Sequence, residues 1–135
     1  MPQRPPMLLL DAVVERRGDA LVCAATVTPE WLLVEGDSMP AAGLIEVMAQ
    51  AVAALHGLQG RERGEAVRVG LLLGCRELVL HAPRVRVGAA LRVTAAQLFG
   101  MDTVAEFGCR VDAGGVPLAE GTLQVVRGAM EAQPA

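Results

Sequence analysis

Glu46 and Gln50 stand four residues apart in AAGLIEVMAQAVAAL, the stretch from Ala41 to Leu55, where every other residue is small or apolar. On a helix that spacing places the carboxyl and the amide on one face. A carboxyl buried among apolar groups tends to keep its proton near neutral pH, and so can act as a general acid. The alternative is a structural Glu, hydrogen-bonded to backbone or to Gln50 one turn away. Gln50 in turn either orients Glu46 and lines a pocket, or closes the helix against a strand.

The other groups with chemistry are few. His56 lies ten residues beyond Glu46, about 80° around a helix and about 15 Å along it, so the two cannot pair within one chain. It suits a position near the C-terminal end of the helix, where the dipole favours it. His81 precedes Ala82-Pro83 at a strand end and reaches a pocket only through tertiary packing. Glu35 and Asp37 read as solvated loop acids. Either one could serve as a base for a neighbouring subunit's Glu46, and two such carboxyls close together would share a proton. Cys23, Cys75 and Cys109 form no C-x-x-C pair, so no zinc site or redox motif is expected. They read as small buried hydrophobes in a reducing cytoplasm. No metal or cofactor is implied.

Composition narrows the classes further. The chain of 135 residues is 53% hydrophobic and 20% charged, enough for one domain with a real core. Its domain is expected over residues 1–128, with a flexible tail at 129–135. Aromatics are only 2% and the net charge is −3, which argues against stacking on bases or binding phosphates. All twelve basic residues are arginine. MLLL, from Met7 to Leu10, is too short for a leader or a membrane span.

These residues need elements to hold them. MLLLDAVVER and ALVCAATVT, around Arg17-Gly18-Asp19, predict a β-hairpin. Leu32 to Pro40 reads as a loop. Ala41 to Leu58 predicts a helix of about 27 Å, stopped by Gly57 or Gly60. Its apolar residues lie on all sides, so it should be enclosed by protein rather than cross a membrane. The charged run RERGEA, Arg61 to Ala66, should be a loop. Val67 to His81 reads as a long strand or strand pair, and Arg84 to Phe99 as a strand region turning at Gly88. Thr103 to Ala113 and Val116 to Gly128 form a hairpin about Gly114-Gly115. The fold class is therefore α+β, a curved antiparallel sheet wrapped around one long central helix. Its open edges favour dimerisation.

Three stretches resemble a known family. RPPMLLLDAVVE, MPAAGLIEVMAQAVAA and GLLLGCRELVLHAPRVRVGAALRV are similar to the first strand, the helix and the later strands of hotdog-fold 3-hydroxyacyl-acyl-carrier-protein dehydratases, in a divergent branch of aryl-polyene type. The resemblance spans about Arg4 to Arg127. It implies a cytoplasmic dehydratase (a lyase) of fatty-acid or polyene biosynthesis. The substrate would be an acyl thioester on acyl carrier protein or coenzyme A, and the assembly a homodimer or a heterodimer with another hotdog protein. In that family a loop His from one subunit faces a helix Glu from the other. The His takes the α-proton, the acid protonates the departing hydroxyl, and an amide at the helix start polarises the thioester carbonyl. Carried across, Glu46 matches the catalytic carboxylate, Ala41 or Ala42 the helix-start amide, and Gln50 the motif glutamine. The family's His falls on or near Leu32. Asp37 and His81 are the candidates for a second catalytic group. Arg84 and Arg86, with Arg61 and Arg63, could meet an acidic carrier protein. Two other readings remain: a hotdog acyl-thioesterase with Glu46 activating water, and a non-catalytic subunit of a heteromeric dehydratase.

Overall fold

Gly114 and Gly115 both adopt positive φ, 57° and 82°. That is the geometry of a tight two-residue hairpin turn, which L side chains resist. The turn joins β7 (Val104–Ala113) to β8 (Val116–Arg127) in the computed structural model, which describes residues 9–62, 64, 70–101 and 103–127. The first hairpin forms as expected, from β1 (Ala12–Arg17) and β2 (Ala20–Thr26). The lead-in at 1–8, the start of the strand at Val67, Arg63 and the C-terminal tail lie outside the described residues.

The remaining strands are β3 (Ser38–Pro40), β4 (Gly70–Leu80), β5 (Arg84–Arg86) and β6 (Ala90–Gly100). Six of the eight form one antiparallel sheet in the order β1-β2-β6-β7-β8-β4. The meander β6-β7-β8 follows the sequence pattern. β4 does not continue it: the strand lies at the far edge against β8, separated from β6 by β7 and β8. The nine residues from His81 to Ala89 are too long for a hairpin turn. They cross the end of the sheet instead, and their β5 segment pairs with β3 in a separate two-stranded sheet. The loop expected to run unbroken to Pro40 therefore ends in a strand.

The helix begins with a 3-10 turn at Ala41–Gly43 and continues as α1 (Leu44–Glu62). It passes the two glycines expected to stop it. A helical Gly costs only about 1 kcal/mol, and local contacts oppose that cost. Buried Gln59 donates Nε2 to Gln97 Oε1 at 2.8 Å, and Arg16 holds Glu62 through two bonds of 2.8 and 3.0 Å. The chain turns only at Gly64, whose N–H donates to Arg61 O. His56 is therefore buried within α1 and does not sit at its end.

Leu44, Val47, Met48, Ala51, Val52 and Leu55 make a buried stripe at helical spacing. They pack with Leu21, Val93, Phe107, Val111 and Leu123 from the sheet into a core that is mostly aliphatic, with Phe107 its largest fully buried side chain. The opposite stripe differs from the expectation of a fully enclosed helix. Ala42, Glu46 and Ala53 are exposed, and Ile45 and Ala49 are half-buried. One curved sheet covers one side of a helix, and in this chain nothing described covers the other. Ala41–Glu62 is long and apolar enough to cross a membrane by composition, but here it is the core helix against the sheet.

The three cysteines are free thiols. Cys23 and Cys109 are buried as expected, whereas Cys75 is only half-buried. Burial pushes the Cys109 thiol up to about 12, with a smaller push from Cys75. The unfolded chain gives up that proton first, so Cys109 makes stability fall as pH rises. The loss starts near the ordinary thiol pKa of about 8.5 and continues to about 12. The chain has no Tyr and no Lys to titrate in this window, and Cys23 and Cys75, also raised by burial, add lesser parts of the decline. Denaturant midpoints measured from pH 8 to 11 should decline, and Cys109→Ala should flatten most of the decline. A slope unchanged by Cys109→Ala would assign it elsewhere.

Candidate functional site

The loop before α1 is tied down at both ends. Val27 N donates to Ala89 O and Gly88 N to Val27 O. Two tight turns follow, with Trp31 N donating to Thr28 O at 3.2 Å and Val34 N to Trp31 O at 3.0 Å. They tuck the indole of Trp31 inside while Leu32 and Leu33 stay exposed. Glu35 and Ser38 then exchange backbone hydrogen bonds around Gly36-Asp37, and β3 carries the chain into the helix.

Loop and helix start meet at Gly43. A Cβ there would lie 3.0 Å from Leu33 Cδ1 and 3.1 Å from Met39 Sδ, so only glycine permits this approach without a shift. The junction encloses a cavity of about 160 Å³ lined by Leu9, Trp31, Leu32, Leu33, Met39, Gly43 and Glu46. Glu46 is the one ionisable side chain among these residues. Its carboxyl is exposed at the cavity in this chain, which corrects the expectation of a buried acid: it belongs to the open stripe of α1 and not to the stripe against the sheet. Leu32, where the resemblance puts the family's histidine, lines the same cavity and is 67% exposed.

Gln50 is buried and serves both neighbours. Its Oε1 accepts from Leu9 N at 2.8 Å, and its Nε2 donates to Glu46 Oε2 at 3.4 Å. The first bond is a normal amide contact and the second is long. Gln50 thus fastens the segment before β1 to the helix while touching the carboxyl.

The two helix-start amides separate. Ala41 N donates to Pro83 O at 3.0 Å and is already used. Ala42 N comes next, and the first N–H groups of a helix have no intrahelical acceptor.

The structure does not bring the remaining candidates to the cavity. Asp37 is exposed, 3.9 Å from Arg86, which is equally exposed. His81 Nε2 lies 2.9 Å from a Glu120 carboxylate oxygen on the sheet. Arg84 donates Nε to Ser38 Oγ at 2.6 Å. Among the described residues no three His, Cys, Asp or Glu side chains cluster as a metal site. Sequence reasoning missed Trp31, Leu9 and Gly43 as cavity residues. The single tryptophan, placed just before the exposed Leu32-Leu33 pair, was the available signal.

Residues 1–134 match the ApeP-like family, described as ApeP dehydratase. The chain superposes on the dehydratase heterocomplex ApeI:P from Xenorhabdus doucetiae with a TM-score of 0.86 and 26% identity, over 97% of this chain and 90% of that one. A hypothetical thioesterase protein with coenzyme A from Streptococcus pneumoniae superposes at 0.68 with 11% identity, over 86% and 84% of the two chains. The E. coli PaaI protein of the phenylacetic acid degradation operon gives 0.68 with 16% identity, over 87% and 78%. At such identities these last two show the fold alone. The fold is the hotdog fold, one long helix against a curved antiparallel sheet. No curated protein matches the sequence.

Replacing Gln50 by Leu keeps much of the side-chain volume but leaves the Leu9 N–H without its acceptor. The expected cost is about 1–3 kcal/mol, read as a lower denaturant midpoint at unchanged slope. A loss below about 0.5 kcal/mol, the range of ordinary surface changes, would show that this tether does not matter.

Proposed function

The chain belongs to the ApeP-like dehydratase family, and from that premise we propose that it is the acid-bearing subunit of a heteromeric hotdog dehydratase. The substrate is a 3-hydroxyacyl thioester on acyl carrier protein or coenzyme A. The observation that carries this reading is the pairing of Glu46 with Leu32 at one apolar cavity. An acid stands at the mouth, and the loop position that would offer a base to a facing subunit's acid is a leucine.

The chemistry follows from that division. A base on the facing subunit removes the proton from C2. Glu46 delivers a proton to the departing 3-hydroxyl, the C3–O bond breaks, and water leaves as the C2–C3 double bond forms. A second subunit covering the open stripe of α1 takes water away from Glu46. Gln50 holds the carboxyl in place. The Ala42 N–H is the helix-start donor available to the thioester carbonyl, where negative charge develops. A second copy of this chain would present another Leu32, so a partner hotdog protein with a loop histidine fits better than self-pairing. The ApeI:P neighbour, itself a heterocomplex, supports this choice.

Enoyl formation from a 3-hydroxyacyl carrier thioester should appear with the co-expressed hotdog partner and be absent with this chain alone. Glu46→Gln should lower kcat of the complex by at least about 100-fold, the usual worth of a general acid, with little change in KM. Turnover by the isolated chain would return the base to this subunit, and full activity of Glu46→Gln would remove Glu46 from the reaction. Release of free thiol instead of enoyl product would favour the thioesterase reading.

A further inference from the structure

The cavity beside Glu46 runs from an exposed rim to a buried interior. Trp31, Met39 and Leu9 are its buried members, 6%, 1% and 8% exposed, while Leu32 and Leu33 at 67% and 52% form the rim with Glu46. Two backbone hydrogen bonds, to Thr28 O and from Val34 N, fix the turn that carries Trp31. At Gly43 the walls are so close that even one added methyl group would press on Leu33 and Met39. The space has little room to widen there.

Its volume decides what it can hold. At about 160 Å³ it matches a roughly 150 Å³ protein cavity that takes up benzene. It falls well below the roughly 300–1,000 Å³ of pockets that enclose drug-sized ligands. We infer that this pocket takes the first six or so carbons of an acyl tail beyond the reacting bond, with Trp31 as the floor that ends it. The inference rests on the acyl-thioester reading above and adds a length limit to it. Any carbon beyond that limit must leave through the mouth, past Leu32 and Leu33, and gains no burial inside this subunit.

S-alkyl thioethers of pantetheine with two to sixteen carbons test the limit on the full chain without any need for turnover. Trp31 is the only tryptophan in the sequence, so its fluorescence reports filling of the pocket in the wild-type protein, and calorimetry serves for the variants. Affinity should rise about fourfold for each methylene buried and level off at about nine carbons. Trp31→Ala should move the levelling point out by two or more carbons. Trp31→Phe, which keeps an aromatic ring to support the fold, should move it by less. Affinity that keeps climbing to sixteen carbons, or a levelling point unmoved in both variants, overturns the length limit and leaves the acyl reading intact. No binding at any length, by this chain alone or in complex with its hotdog partner, overturns both.

Discussion

The structure depends on a simple geometric constraint: one sheet can cover only one side of one helix. The six strands give α1 a floor of aliphatic side chains, and the stripe from Leu44 to Leu55 fills it. Burial of that stripe is what holds a helix with two internal glycines together. The same sheet cannot reach Ala42, Glu46 and Ala53, which stay open. The open stripe is small and apolar except for one carboxyl. In the proposed heteromer a second subunit completes this surface, and the acid lies where that completion would occur.

That placement is what lets the proposed reading give a lone acid a base from another subunit. If acid and base came from one chain, the loop before α1 would have to supply the base, since it lines the cavity with Glu46. It supplies Trp31, Leu32 and Leu33 instead, two of which project outward. The loop is well built: its turns, the Glu35–Ser38 bridge and the β3–β5 pairing fix its course. The leucine therefore occupies a defined position, and the site reads as half of a divided one. Asp37 and His81 are engaged elsewhere, with Arg86 and Glu120.

Much of the fold could be read from residue order because its signals are local. Gly18, Gly88 and Gly114-Gly115 mark turns wherever they stand, and alternation identifies the strands between them. The crossing of β4 to the far edge is not local. It depends on which strand is left to pair with β8 after the helix has passed over the sheet, and no window of residues encodes that. The β3–β5 pairing failed to show for the same reason, since three residues carry no periodicity. The site was half legible. Glu46 and Gln50 stand out as polar exceptions in an apolar run, but all-round apolarity suggested an enclosed helix. The sequence of one subunit cannot distinguish a residue covered by its own sheet from one left for a partner. Trp31 escaped because a single aromatic in a loop has no pattern to announce it.

The most direct test is a crystal structure of this chain bound to its partner hotdog subunit. The account predicts that the Ala42–Glu46–Ala53 stripe is covered and that a histidine nitrogen of the facing subunit lies across the cavity mouth from the Glu46 carboxyl, close enough for one substrate to touch both. A complex in which that stripe remains in solvent, or in which only apolar side chains face Glu46, would contradict it.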